Sequence, residues 1–213
     1  MHLITEHYND LKNQLPASGR HILAQYDDER VVVYQAYRPE IAAYAVKHQR
    51  LGGSHFKLSR MTWIKPNFLW MMHRCGWANK TGQERVLAIW LWRAAFEEIL
   101  ALAEHATFRP EIYADHAEWK RAIKDANVQL QWDPDYDPQD NRLERRAIQL
   151  GLRGPAAKAF AQGGWIAHIE DISAFVEEQH QRLSPGLMQW LTLPRERVYP
   201  VVDATLAERL ALS

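Results

Sequence analysis

Arg60, Lys65 and Arg74 stand among Trp63, Phe68, Trp70 and Trp77 in the stretch 59–77, SRMTWIKPNFLWMMHRCGW. Aromatic planes beside cations suit a particular chemistry. A base or nicotinamide ring stacks on the plane while a phosphate pairs with the cation. The chain carries nine tryptophans, and Trp63, Trp70, Trp77, Trp90 and Trp92 all fall in this stretch or just after it. A core helix accounts for part of the pattern. Phe68, Met71, Met72 and Cys75 recur at i, i+3, i+4 and i+7, the spacing of a buried stripe. It does not account for the cations, so the working part is expected at 59–65, ahead of the helix.

Other groupings carry weaker signals. Cys75 and His73 lie two residues apart, which on a helix points them in different directions, so a packed core thiol is expected rather than a nucleophile. Asp133, Asp135, Asp137, Gln139, Asn141 and Glu144 follow the oxygen-ligand spacing of a helix–loop–helix calcium site. Its sixth position, however, is Pro138 where the sharp turn requires glycine, so a solvated acidic turn is expected and no metal. The turn Gly151-Leu152-Arg153-Gly154 could offer backbone N–H groups and a guanidinium to a phosphate, or could simply connect a strand to a helix. No phosphate loop, glycine-rich dinucleotide turn, Gly-x-Ser-x-Gly elbow or His-Glu-x-x-His helix is present.

The elements that must hold these residues follow from periodicity and punctuation. An amphipathic helix or arm is expected over 3–15, within an N-terminal element 1–19. VVVYQAY at 31–37 is dense in β-branched and aromatic residues and predicts a buried strand. Pro39 sits where a first helical turn accepts it, predicting a helix over 40–49 closed by Gly52-Gly53. Alternation of Phe56, Leu58 and Arg60 with Lys57, Ser59 and Met61 predicts a strand over 56–63. Pro66 opens a helix over 67–74, with Gly76 at its end. VLAIWLW at 86–92 is apolar on both faces, hence a central strand. Helices are expected over 94–105 and 115–124, a strand over 128–132 and an acidic, proline-rich loop over 133–141. Strands at 147–152 and 165–169 flank a helix at 155–162. A helix at 172–183 and a last one capped by Asp203 complete the chain. Strands and helices mix without a βαβ rhythm, which reads as α+β: one domain over 20–213, with two small mixed or antiparallel sheets and flanking helices.

Composition bounds the function classes. The 26 basic and 26 acidic side chains cancel, so no global field draws the chain to nucleic acid or membrane, although a local basic patch can. A single cysteine excludes an internal disulfide and four-thiolate zinc sites. The N-terminal residues MHLITEHYNDLKNQLP lack the apolar core of a signal peptide, and no apolar run is long enough to span a bilayer. A cytoplasmic protein with no membrane partner is expected.

Two resemblances add to this reading. YDDERVVVYQAYRPEIA, SRMTWIKPNFLWMMHRCGWA, QERVLAIWL, QWDPD, RRAIQLGLRG and LPRERVYPV, in this order, resemble a family of domains of unknown function found in bacteria and fungi. More distantly, the chain is similar to the ADP-ribosyltransferases. Their core has a first strand bearing His or Arg, a helix, a second strand with Ser or Tyr leading to an aromatic helix, and a late strand with a glutamate. Here Gln35 and Tyr37 occupy the first position, Ser59 and Arg60 the second, and Gln149 that of the glutamate. Glutamine lacks the negative charge that assists an oxocarbenium-like transition state, which leaves Asp133 or Glu170 as carboxylates to take its place.

The second resemblance implies an ADP-ribosyltransferase-like fold and an enzyme using NAD, with a nucleic acid or nucleotide as acceptor. Trp63 or Tyr37 would stack the nicotinamide, Arg60 with Lys65 would pair the pyrophosphate, and Gln149 would orient the ribose. Ser59 and Arg153 complete the expected NAD contacts, with Gln35 and Arg60 beside Gln149 in the catalytic group. Removal of an RNA 2′-phosphate would use the same pocket with Arg60, Arg74 and Arg146. A non-catalytic module for nucleotide or nucleic acid is the alternative, its aromatics stacking bases.

Overall fold

Every residue of VVVY at 31–34 is buried, because the two faces of this strand meet two different cores. Val31 and Val33 join one apolar cluster, and Val32 and Tyr34 the other. The strand 85–92 repeats the arrangement: Leu87, Ile89 and Leu91 face the first cluster, and Val86, Ala88 and Trp90 the second. Burial on both faces is why these strands read as continuous apolar runs instead of alternating ones.

The computed structural model describes residues 2–162 and 164–213. Its strands are β1 (Thr5–His7), β2 (Leu23–Ala24), β3 (Arg30–Tyr37), β4 (Thr62–Ile64), β5 (Arg85–Trp92) and β6 (Ala103–His105), followed by β7 (Val128–Tyr136), β8 (Arg142–Leu152), β9 (Ile166–Asp171), β10 (Thr192–Pro194) and β11 (Arg197–Val198). Its helices are α1 (Tyr8–Lys12), α2 (Pro39–His48), α3 (Phe68–Cys75), α4 (Arg93–Ala101), α5 (His116–Asp125), α6 (Gly154–Ala161), α7 (Ser173–Gln181) and α8 (Ala204–Arg209). The architecture is α+β in one domain. A three-stranded antiparallel sheet has the order β3-β5-β9, and a four-stranded mixed sheet the order β4-β8-β7-β6. Only β6 and β7 run parallel in the second sheet. Two short two-stranded pairs, β1 with β10 and β2 with β11, tie the N-terminal residues to the C-terminal part.

Most of the expected elements form, and β5 is central in its sheet as its two-faced pattern requires. Four expectations are corrected. The helix over 3–15 is instead strand β1, paired with β10, followed by the five-residue α1, whose Leu11 is buried. The strand over 56–63 shrinks to β4. Its partner β8 ends at Leu152, opposite Thr62, so the preceding residues have no strand to pair with. The helix over 94–105 stops at Ala101, and residues 103–105 become a parallel edge on β7. Finally, the loop over 133–141 begins four residues later than expected, because β7 continues beside β8 through Tyr136.

Among the described residues no helix is long and apolar enough to cross a membrane.

Candidate functional site: a cleft between two sheets

The two larger sheets share a core, and a backbone bridge joins Tyr34 of β3 to Lys65, just after β4. The Tyr34 N–H donates to the Lys65 carbonyl at 2.7 Å, and the Lys65 N–H returns to the Tyr34 carbonyl at 3.3 Å. One residue further along β3, a side chain replaces the ladder. Gln35 donates from Nε2 to Thr62 Oγ1 at 2.7 Å and to the Trp63 carbonyl at 3.1 Å, while its Oε1 accepts the Tyr37 hydroxyl at 3.0 Å. Tyr37 and Thr62 also share a hydroxyl–hydroxyl bond of 3.1 Å. This closed polar set clamps β3 to β4. Burial pushes the Tyr37 phenol up to about 12, so it serves as a neutral donor.

Beside this clamp lies a cleft of about 900 Å³, with residues of both sheets, of α3 and of the segment 54–61 in its walls. That volume falls in the range of small-molecule and cofactor sites. One wall comes from β7 and β8. Val128, Leu130 and Trp132 of β7 point into the core, so the two-residue period turns Gln131 and Asp133 together onto the cleft face. Gln149 of β8 lies directly opposite Gln131. Both amides converge on one carboxylate. Gln131 Nε2 donates to Asp133 Oδ1 at 2.8 Å, and Gln149 Nε2 donates to Asp133 Oδ2 at 2.6 Å.

The charge of the cleft is uneven. Asp133 is the carboxylate among its described lining residues, against the cations Arg38, Lys57, Arg60, Lys65 and Arg74. Four of these cations are exposed, whereas Lys65 is only 6% exposed. Its Nζ has one weak partner, the Trp63 carbonyl at 3.4 Å, and among the described residues no carboxylate lies within ion-pair distance. Burial first, and then the nearby Arg74 charge, lower the Lys65 ammonium to about 8, although Asp133 pulls in the other direction. Trp70 adds an unfilled donor: the residue lines the cleft, and its indole N–H is buried without an acceptor.

The floor of the site is braced from below. Helix α3 is capped by Asn67, whose side chain accepts the Trp70 N–H at 2.6 Å. The buried Glu196 accepts the Phe68 N–H at 2.6 Å and the Asn67 amide at 3.2 Å. Gly151 on β8 leaves room for two cleft residues. A Cβ there would come within 2.7 Å of Met61 Sδ and 2.9 Å of the Trp63 ring.

Of the residues singled out in the sequence, Gln35, Tyr37, Arg60, Trp63, Lys65 and Gln149 line the cleft together, from three separate segments of the chain. Ser59 is exposed and not among the lining residues. Arg153 is elsewhere: its guanidinium caps the end of α5, donating to the carbonyls of Ile123, Lys124 and Ala126 at 2.6–2.7 Å. Those saturated carbonyls, and not a phosphate, are what the arginine after the Gly151 turn serves. Arg146 is also outside the cleft, its backbone N–H bound to the Gly19 carbonyl. Of the two carboxylates considered as substitutes for a glutamate, Asp133 lines the cleft, whereas Glu170 pairs with His2.

The acidic residues after Trp132 do not converge. Asp133 is held by the two glutamines, Asp135 is paired with Arg145 at 2.5 Å, and Asp137 closes a turn with the N–H groups of Gln139 and Asn141. Cys75 is fully buried and its thiol is pushed up by desolvation, as suits a packed core residue. Sequence reasoning missed Gln131, Arg38 and Lys57. For Gln131 the signal was present, since it alternates with Asp133 in a strand whose other face is apolar. For Arg38 and Lys57 no local pattern separates them from ordinary surface cations.

Residues 21–199 match a family described as a domain of unknown function, DUF4291, and the chain belongs to that family. No curated protein matches the sequence.

Proposed function

We propose that this member of the family is an ADP-ribosyltransferase-like enzyme that takes NAD in the cleft between its two sheets. The observation that carries the reading is the carboxylate of Asp133, held by two glutamine amides in a cleft whose other charged lining residues are cations, set beside aromatic rings. A dinucleotide needs cations for its pyrophosphate and flat apolar surface for its rings. It also needs one negative charge where the ribose becomes positive. Arg60 and Lys65 are the pyrophosphate partners in this reading. Trp63 or Tyr37 stacks the nicotinamide, and the buried Trp70 N–H supplies a further donor.

The chemistry follows from the charge of Asp133. The bond between ribose C1′ and the nicotinamide nitrogen breaks, and nicotinamide leaves with the electron pair. Positive charge then builds on C1′ and its ring oxygen. Asp133 stabilises that charge in the role expected of a glutamate at position 149, and Gln149 orients both Asp133 and the ribose. A lone pair of the acceptor forms the new bond to C1′, and the acceptor's proton passes to solvent. The exposed cations Arg38, Lys57, Arg60 and Arg74 favour an acceptor that carries phosphate, a nucleotide or nucleic acid.

The same exposed cations support a second reading, a non-catalytic module whose cleft binds the end of a nucleic-acid strand. Removal of an RNA 2′-phosphate through an ADP-ribosylated intermediate would use Arg60 and Arg74 of this cleft. Incubation with labelled NAD and mixed RNA, DNA and protein acceptors separates the readings. Label transfer is expected from the wild type. A loss of about 100-fold or more is expected in Asp133→Asn, with NAD still binding, and weaker NAD binding in Arg60→Ala. Absence of both transfer and NAD binding by calorimetry would sink the enzyme reading. Binding of single-stranded RNA without any transfer would establish the module.

A further inference from the structure

Lys65 is more than a phosphate partner is required to be. A lysine that only pairs with phosphate works best as a permanent cation on a flexible stem at the rim, as Lys57 is placed. Lys65 sits inside the wall of the cleft with its backbone pinned on both sides by the bridge to Tyr34. Among the described residues no carboxylate lies within ion-pair distance of it, and Arg74 lies near enough to oppose a second positive charge. Water is largely excluded, since the residue is 6% exposed. These are the surroundings that leave an amine with its lone pair free and aim it at a bound ligand.

We propose that Lys65 is a nucleophilic amine, and that the cleft captures the open-chain aldehyde of a phosphorylated sugar as an imine on its Nζ. The inference rests on the reading of the cleft as a site for a ribose phosphate and names a covalent partner within it. ADP-ribose, freed of its nicotinamide, has such an aldehyde at C1. The Nζ lone pair attacks the carbonyl carbon, and the carbonyl π pair moves onto oxygen. One amine proton passes to that oxygen, giving a carbinolamine. The hydroxyl then leaves as water with the second amine proton as the C=N bond forms. No oxidant or further reactant is consumed. Asp133, whose two oxygens accept the Gln131 and Gln149 amides, is the carboxylate among the described lining residues of the same cleft. The charged and titratable groups around the amine are Arg74 and Cys75 of α3, Asp133 of β7 and Arg60 of the preceding segment. Burial and Arg74 set the free-amine fraction far above that of an ordinary lysine at neutral pH.

Pyridoxal 5′-phosphate, an aldehyde bearing a phosphate, is the probe. The full-length wild-type protein is treated with it at pH 7.5, reduced with borohydride and mapped by peptide mass spectrometry. Lys65 is expected to label at least about tenfold faster than the exposed Lys47 and Lys80. ADP-ribose is expected to suppress the labelling and, with cyanoborohydride, to leave its own reduced adduct on Lys65. Labelling of the exposed lysines with Lys65 spared would overturn the proposal, as would Lys65 labelling that ADP-ribose neither suppresses nor replaces. Lys65→Arg keeps the charge and is expected to lose the adduct. If that variant fails to fold, the wild-type map decides alone. Transfer from NAD with Lys65 unlabelled refutes only the imine. An imine on Lys65 with no NAD transfer refutes only the transferase reading.

Discussion

The Gln149 side-chain amide donates to Asp133 Oδ2 at 2.6 Å, so the residue at the expected glutamate position holds a carboxylate that the neighbouring strand supplies. Gln131 completes the grip on the other oxygen at 2.8 Å. In the proposed transferase reading the negative charge of the cleft therefore comes from Asp133, across the β7–β8 ladder from position 149.

This pairing makes Gln149→Glu a harmful change, although it introduces the glutamate that the proposed transferase motif calls for. The variant loses a donor and sets two carboxylates against one another, so that one of them must hold a proton. Above the ordinary carboxylate range both groups are driven to ionise and repel, and at low pH one proton relieves them. Thermal unfolding is expected to show a loss of about 1–3 kcal/mol at pH 8 that shrinks towards pH 5. Equal destabilisation at both pH values would refute the pairing.

Lys65 makes a prediction of opposite form. Its ammonium is lowered from the ordinary lysine value to about 8 by burial and Arg74. Between pH 8 and the ordinary lysine value, the unfolded chain binds the proton that the folded chain has released. Stability therefore rises with pH across that window, and the penalty is fully present below pH 8. Lys65→Met, close in length and without the charge, is expected to raise stability at pH 7 by up to about 3 kcal/mol. The gain is expected to vanish near pH 10.5. Urea titrations of both proteins from pH 6 to pH 10.5 measure it.

Asp135 and Arg145 form an ion pair at 2.5 Å, with the Asp135 carboxylate entirely buried. Burial nevertheless pushes Asp135 up more than Arg145 pulls it down, so the pair gains little over an apolar contact. Arg145→Met alone strands a buried carboxylate and is expected to cost about 3–5 kcal/mol. Joint replacement, Asp135→Leu with Arg145→Met, is expected to recover most of that loss. A double variant no more stable than Arg145→Met would show that the pair itself is strongly stabilising.

Gly151→Ala tests the cleft wall without touching a charged group. The new Cβ would lie 2.7 Å from Met61 Sδ and 2.9 Å from the Trp63 ring. Methionine can move aside, but the indole must shift as a body. The fold is expected to persist, with NAD affinity by calorimetry falling about tenfold or more. Unchanged affinity would mean that Trp63 does not contact the ligand.

Much of the fold was legible because it depends on local patterns. VVVYQAY and VLAIWLW announced strands covered on both sides, Asp203 announced a cap, and Gly76 with φ +59° announced the end of α3. Where partners decided, local pattern misled. The alternating residues before Thr62 form no strand because β8 ends at Leu152, and residues 103–105 leave their helix to pair with β7. An edge strand's extent is set by its neighbour's length, which no short window records.

For the site the division falls at the same place. The sequence by itself determined the chemical types: cations among aromatic rings at 60–74, amides at Gln35 and Gln149, and the phenol of Tyr37. It also brought Gln35, Arg60, Trp63, Lys65 and Gln149 under suspicion one at a time. Only the tertiary structure decided which of them meet. The Tyr34–Lys65 bridge and the Gln35–Thr62 clamp draw the two sheets together beside the cleft, and the β7–β8 register sets Asp133 within reach of both glutamines. It also removed Arg153, whose guanidinium satisfies carbonyls that α5 would otherwise leave unpaired. Side-chain type is local information, but the direction and partners of a side chain come from strand register and helix packing, which join residues far apart in the chain.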